Sequence, residues 1–246
     1  MDNSRYILLL DSSTEYCSVA LASNTQGVIS YLEEEDRSRQ SERLAVMADE
    51  VIADKKISAV CVAEGPGSYT GLRIEAGYAK GLAWAQGIPI LATSTLQLLC
   101  RSFLSKVKDL EEGALFLPMI DARRMEVYTA LYDCVGNAES DISALVLTDP
   151  DIQNRIKARV GNRSLYFFGS GAEKAVELFS TLIPTAHYVG GIYPQAKDMA
   201  EDAFKLLDNE DYCDVAYWEP FYLKEYEAKL SPNKVLAKLG TNKIDD

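Results

Sequence analysis

Two short stretches carry side chains whose types and spacing suit chemistry. The first is "DSST", Asp11 to Thr14, at the end of an apolar run. A phosphotransferase uses a strand-end carboxylate of this kind to hold hydrated Mg²⁺, with a glycine beside it to admit phosphate. Asp11 supplies the acid, but Ser12 and Ser13 stand where glycine would serve, and a side chain there narrows the approach. The second stretch is "EGPGSYTG", with Gly65, Gly67 and Gly71 spaced as G-x-G-x-x-x-G. That is neither the dinucleotide fingerprint G-x-G-x-x-G nor a P-loop, since no G-K-[ST] follows. Glycines let a backbone come close and a helix start offers unpaired N–H groups, so anion binding is one reading. The other is a strand-to-helix turn with Ser68 or Thr70 as its cap. Glu64 offers a second carboxylate, which could join Asp11 as a metal or acid–base pair; polar strand-end residues lining a cleft are the alternative.

Other chemistries have less to work with. The chain holds one histidine, His187, so no H-x-x-x-H or H-E-x-x-H metal site can be written. A Ser-His-Asp triad would rest on that residue alone, and no G-x-S-x-G elbow is present. His187, beside Tyr188 and Val189, reads as a half-buried strand residue. The five cysteines are scattered without a C-x-x-C pair and read as apolar side chains of a reducing compartment.

The elements that must position these residues follow a repeated order. "RYILLLDSS", "YCSVALAS" and "GVISYLEEE" read as a three-strand meander. An amphipathic helix over "RSRQSERLAVMADEVIADKK" carries Leu44, Met47, Ala48, Val51 and Ile52 at helical spacing. The run "ISAVCVAEG" is a central strand, and the glycine loop opens a helix that ends near Gly87, with Pro89 beyond. "IPILAT" is a strand, and "STLQLLCRSFLSKV" a helix capped by Ser94 or Thr95. After the charged break "KDLEEGA" the plan recurs. "ALFLPMID", "EVYTALYD" and "SALVL" are strands, "DPDIQNRIKARV" a helix with Pro150 in its first turn, and "SLYFFGSG" a strand. "AEKAVELFSTLI" and "QAKDMAEDAFKLLD" are helices. The expectation is an α/β chain of two lobes, each βββαβαβα. The N-terminal lobe covers 1–107 and the C-terminal lobe 108–212. A segment at 213–230 packs back on them, and a polar mobile tail fills 231–246. This is the architecture shared by actin, heat-shock chaperones and sugar kinases, in which ligands sit between lobes beside strand ends.

Size and charge narrow the function. A chain of 246 residues, 48% hydrophobic and 25% charged, can bury a core in each of two lobes. Its net charge of −12 and pI near 4.7 make it a poor lone partner for nucleic acid, which needs a basic surface. Arg123 and Arg124 are a local exception that reads as solvated. No apolar run reaches the ~18 residues of a membrane helix, and "RYILLLD" is too short for a signal-peptide core. A cytoplasmic protein without a membrane partner is expected.

The helix after the glycine loop carries a further signal. Ile74, Gly77, Tyr78, Gly81 and Ala85 share one side, and each glycine inside a helix costs roughly 1 kcal/mol against alanine. Two in one stripe imply that another backbone packs close, either within the same lobe or on a second subunit. Met47 and Val51 of the preceding helix read as outward-facing apolar neighbours of that surface.

In their order, "LLLDSSTEYCSVAL", "GPGSYTGLR", "GLA", "STL", "IDARRMEVY" and "EPFYL" resemble the TsaB (YeaZ) family, over Ile7 to about Leu223. The resemblance implies a non-catalytic relative of TsaD, in the wider glycoprotease-like family. TsaD is the subunit that transfers threonylcarbamoyl from its adenylate to the adenosine beside the anticodon of tRNAs reading codons that begin with A. TsaD carries metal-binding histidines that this sequence lacks. The implied partners are a TsaD-like catalytic subunit, a TsaE-like ATPase, a second copy of the chain in isolation, and tRNA only through the complex. No catalytic residue, metal or firm cofactor is implied, though ATP or ADP has room at the complex interface. Asp11, Ser12, Ser13, Thr14, Gly65, Gly67, Ser68 and Gly71 become a vestigial nucleotide loop. The implied docking surface is Gln40, Leu44, Met47 and Val51 on one helix with Arg73, Ile74, Gly77, Tyr78, Gly81, Trp84 and Ala85 on the next. Gln40 stands where histidine is frequent in the family, Glu75 where glycine is common, and Arg124 with Met125 where a Met-Gly pair is usual. An ATP-dependent phosphotransferase built on Asp11 and the glycine loop is the competing reading; a metallopeptidase is weaker for want of histidines.

Overall fold

A computed structural model describes residues 4–35 and 40–223. The tail 231–246, and the expected packing segment beyond Leu223, lie outside the described residues. The N-terminal sheet joins β1 (Tyr6–Asp11), β2 (Cys17–Ser23), β3 (Gly27–Glu34), β4 (Ala59–Ala63) and β5 (Ile90–Thr93) in the order β3-β2-β1-β4-β5. The first three pair antiparallel, whereas β1–β4 and β4–β5 pair parallel. The second sheet repeats this plan as β10-β9-β6-β7-β8, from β6 (Leu115–Asp121), β7 (Glu126–Thr129), β8 (Ser143–Val146), β9 (Leu165–Phe168) and β10 (Ala186–Val189). Among the described residues, six α-helices complete the two halves: α1 (Gln40–Ile52), α2 (Tyr69–Gln86), α3 (Thr95–Lys106), α4 (Pro150–Val160), α5 (Val176–Leu182) and α6 (Ala200–Asp208). The duplicated βββαβαβα order read from the sequence is the order observed.

Alternation along the strands sorts the core into layers. Leu8, Leu10, Val19, Leu21, Val60 and Val62 face α1 and α2, while Ile7, Leu9, Ala20, Ala22, Ala59 and Cys61 face the other way. What covers that second face departs from the expected boundaries. It is met by Ala196, Met199, Ala203 and Leu207, so α6 and the 3-10 turn before it (Ala196–Met199) pack on the N-terminal sheet. In exchange, Leu96, Leu99, Cys100 and Phe103 of α3 join Phe116, Ile120, Tyr132 and Phe168 of the C-terminal sheet. The two sheets draw on residues either side of 107/108, whereas α6 packs on the N-terminal sheet and α3 lies between the halves, with Leu98 turned to the N-terminal layer. Helical periodicity fixes that a face is apolar, not which sheet it meets. Arg101 of α3 and Asp202 of α6 make a two-pronged ion pair at 2.8 and 2.9 Å that ties the exchanged helices together.

The helix over the glycine loop has clear stops. Ser68 is its N-cap, accepting from Gly71 N, and Gly87 closes it in the left-handed conformation at φ 64°. His187 lies on β10 with its ring stacked on Tyr166 at 5.1 Å; it is exposed rather than half-buried, because β10 is an edge strand. All five cysteines are free. No helix among the described residues is long and apolar enough to cross a membrane.

Candidate functional site

At the C-terminal end of β1 the chain turns through Asp11, Ser12 and Ser13, all fully buried. Asp11 Oδ1 accepts from Ser13 N at 3.1 Å and from Ser13 Oγ at 2.5 Å. The glycine loop rests directly on this turn. Ser68 N donates to Ser13 O at 2.7 Å, and Ser12 Oγ donates to Gly71 O at 2.8 Å. A Cβ added at Gly67 would lie 2.2 Å from Ser13 O, and one at Gly71 would lie 1.9 Å from Ser12 O. Close backbone approach is thus the reason for these two glycines, and the approaching backbone is the chain's own.

Glu75, on the inward face of α2, completes the corner. Its carboxylate accepts from Ser12 N at 2.8 Å, Ser12 Oγ at 3.2 Å and Ala63 N at 2.7 Å. Burial, with the Asp11 charge second, pushes the Glu75 carboxyl well above its ordinary range. Burial pushes Asp11 up to about 7 against the lowering effect of its Ser13 hydrogen bonds. Asp11 Oδ2 has no hydrogen-bond partner. Of the two readings of Asp11 and Glu64, the less favoured one, a metal or acid–base pair, does not form: the Asp11 charge bears on Glu75, and Glu64 is engaged by Phe221 and Trp218. The signal was present in the sequence, since Glu75 falls in phase with the inward residues Leu72, Ala76, Ala79 and Ala83.

Glu64 fastens a strap formed by residues 213–223. Its backbone oxygen accepts from Phe221 N at 2.7 Å, and its side chain bonds Trp218. Burial raises the Glu64 carboxyl, and the Trp218 bond partly offsets this. Cys213 bridges to Ile90, Lys80 Nζ donates to Ala216 O at 3.5 Å, and the Tyr222 ring lies 5.1 Å from Tyr69. A Cβ at Gly65, where φ is +115°, would sit 2.6 Å from Phe221 O. The strap covers one side of the glycine loop, the "DSST" turn fills the other, and Glu75 takes the N–H groups of Ser12 and Ala63.

The outer face of α2 is the opposite case. Gly77 and Gly81 are exposed, and a Cβ at either would meet nothing within 4 Å. Of the two readings of this stripe, packing within the lobe is therefore removed. Arg73 stands at one end of the face, its guanidinium bonded to Tyr69 Oη at 2.7 Å, and Ala85 and Trp84 stand at the other, Trp84 83% exposed. Ile74 and Tyr78 are half-buried against the core behind it. For α1 the expectation needs correcting. Leu44, Met47 and Val51 are buried against the N-terminal sheet and are not available for docking. The outward residues are Glu42, Val46, Asp49 and Glu50, one step out of phase with the apolar stripe. Gln40 begins α1, and its side chain lies outside the described residues. Sequence reasoning missed Val46 and the exposed strap ring of Tyr217; the aromatic run "YWEPFY" was the available signal.

Arg123 and Arg124 form the tip of the β6–β7 hairpin, both exposed with positive φ (72° and 50°), followed by Met125 at 40% exposure. No group of three or more His, Cys, Asp or Glu side chains among the described residues is gathered closely enough to hold a metal ion.

Comparison with known proteins adds the following. A family model described as TsaD, tRNA N6-adenosine threonylcarbamoyltransferase, matches residues 33–154. The tRNA threonylcarbamoyladenosine biosynthesis protein TsaB of Bacillus subtilis (strain 168) is 30% identical over 231 residues, covering 91% of this chain and 96% of that protein. TsaB of Escherichia coli (strain K12) is 30% identical over 237 residues, covering 93% and 99%. Among solved structures, YeaZ from Pseudomonas aeruginosa matches with a TM-score of 0.69 and 24% identity, over 89% of this chain and 100% of that one. That structural likeness bears on the fold.

Proposed function

The chain belongs to the TsaB family of tRNA threonylcarbamoyladenosine biosynthesis proteins, and on that premise we propose that it is the non-catalytic subunit of the modifying complex, docking on a TsaD-type partner through the outer face of α2. The observation that carries the reading is the bare backbone at Gly77 and Gly81 beside the exposed Trp84. A helix that exposes backbone and an indole in one stripe lets a second backbone approach closely, and Trp is a frequent energetic anchor at interfaces. The partner supplies the transfer chemistry and a TsaE-type ATPase joins the assembly. In the partner's absence the same face pairs two copies of this chain. With a net charge of −12, the chain reaches tRNA through its partners. The assembly works in the cytoplasm, and any ATP or ADP sits at the interface between subunits.

The competing phosphotransferase reading needs phosphate to reach Asp11. The space it would use is taken by Ser12 O, Ser13 O and the Glu75 carboxylate. The test is a modification assay with the cognate TsaD-type and TsaE-type proteins, with and without this chain, paired with ATP–Mg²⁺ titration of the chain alone. The reading expects modification to depend on the chain and the isolated chain to turn over no ATP. Turnover by the isolated chain, or full modification without it, would overturn the proposal.

A further inference from the structure

Two carboxyl groups lie wholly inside the protein beneath α2, and the docking role proposed for that helix does not use them. Asp11 is 0% and Glu75 1% exposed. No lysine or arginine among the described residues forms a salt bridge with either. The thiols of Cys17 on β2 and Cys61 on β4 are raised chiefly by burial, with both carboxylates adding to Cys17 and Glu75 to Cys61. Beyond them lie Glu34 of β3, held by Arg43 at 3.5 Å, and Asp202 of α6, held by Arg101. The charged groups that act on these thiols are the pair itself, Glu34, Asp202 and Cys213, and the cations beside those outer acids, Arg43 and Arg101, are each paired with one of them.

Two buried charges without a cation cannot both persist; one group keeps a proton. The hydrogen bonds indicate where it sits. Both Glu75 oxygens accept from protein donors, as does Asp11 Oδ1, whereas Asp11 Oδ2 alone of the four is without a donor. We propose that Asp11 and Glu75 are a proton-linked latch under α2: a proton on Asp11 Oδ2 lets Glu75 hold the N–H groups of Ser12 and Ala63, and release of that proton to solvent leaves two uncompensated charges that loosen the helix from β1 and β4. The link to docking rests on the function proposed above; the latch itself does not.

The direction with pH follows. The folded chain keeps a proton on Asp11 up to about pH 7, whereas the unfolded chain gives it up near pH 4. The stability this proton confers is complete below about pH 4 and drains away as pH rises through about 7. The chain's single histidine leaves the range between about pH 5 and 8 sparse in other titrating side chains, so the effect stands clear of the background.

The experiment is urea denaturation of the full chain in steps from pH 5 to 8, with Asp11→Asn alongside. Asn keeps the oxygen that Ser13 needs and stays neutral. The wild-type midpoint is expected to fall as pH rises, and that of Asp11→Asn to stay level and end above wild type at pH 8. A level wild-type profile, or an Asp11→Asn profile parallel to it, overturns the latch. Should Asp11→Asn fail to fold, carbon-13 NMR of the wild-type aspartate carboxyls decides: Asp11 titrating above pH 6 supports the latch, and titration below pH 5 overturns it. Pairing with the TsaD-type subunit should weaken several-fold from pH 6 to 8 in wild type and not in Asp11→Asn. If stability follows the latch while pairing ignores pH, the latch stands and α2 is not the docking helix.

Discussion

The ends of β1 and β6 occupy the same place in the two halves of the fold, and both end in aspartate. Each strand end is met by a glycine loop from the strand beside it. In the first half Gly67 and Gly71 press on Ser13 O and Ser12 O; in the second, Gly169 and Gly171 press on Met119 O and the Ile120–Asp121 peptide. The chemistry then parts. Asp121 is exposed, and its Oδ1 accepts from Arg123 N and from Lys174 Nζ, both at 2.5 Å. Asp11 is sealed in, and the residue offered by the helix after its glycine loop is Glu75. One duplicated corner presents a carboxylate neutralised by lysine to solvent; the other buries two carboxyls and turns them into a fastening. The fold has conserved its packing geometry between halves while the charges on it have diverged, so a glycine loop alone says little about ligands.

The sharpest way to break the comparison is to add a methyl where the backbones touch. Gly71→Ala is expected to destabilise at the top of the ~1–3 kcal/mol overpacking range or beyond, because the neighbour is a carbonyl that cannot rotate away. Gly169→Ala should cost about as much, since its Cβ would lie 2.4 Å from Met119 O. Thermal or urea unfolding of both variants checks this; tolerance of either would mean that the loop stands off its strand end and that the corner is open.

A smaller effect is expected on association. Trp84→Ala should weaken docking by about 2 kcal/mol, the scale of an aromatic anchor, with unchanged unfolding, since the ring is 83% exposed. An unchanged dissociation constant in calorimetry would remove the indole from the surface. Smallest of all, Asp121→Asn in the second corner should cost no more than about 1 kcal/mol and lose its effect in high salt, as befits an exposed ion pair with Lys174. A buried-pair response there, insensitive to salt, would erase the contrast between the halves.

How far these features were legible differs by residue. The succession of strands and helices along each half followed from apolar runs and turn residues, and of the paired cap candidates Ser68/Thr70 and Ser94/Thr95 the structure uses Ser68 and Ser94. The exchange of α3 and α6 between sheets was hidden, because an apolar helix face does not name its partner. Leu44, Met47 and Val51 face inward for the same reason: a stripe at helical spacing marks the face that meets the core, and the exposed apolar residue of α1 is the one out of phase, Val46. Gly77 and Gly81 were legible as a pair of small residues on one face of α2, and the structure leaves that face exposed. Glu75 was visible as an acid among inward small residues, but only geometry joins it to Asp11, sixty-four positions earlier in the chain.

In the docking role proposed for it, α2 presents bare backbone to a second polypeptide. Sedimentation of the chain with its TsaD-type partner, wild type against Gly77→Leu and Gly81→Leu, tests it most directly. Because a Cβ at either position meets nothing within 4 Å and both positions are exposed, both variants should fold as wild type does. Neither variant should sediment with the partner. A complex of undiminished strength with either variant would contradict it.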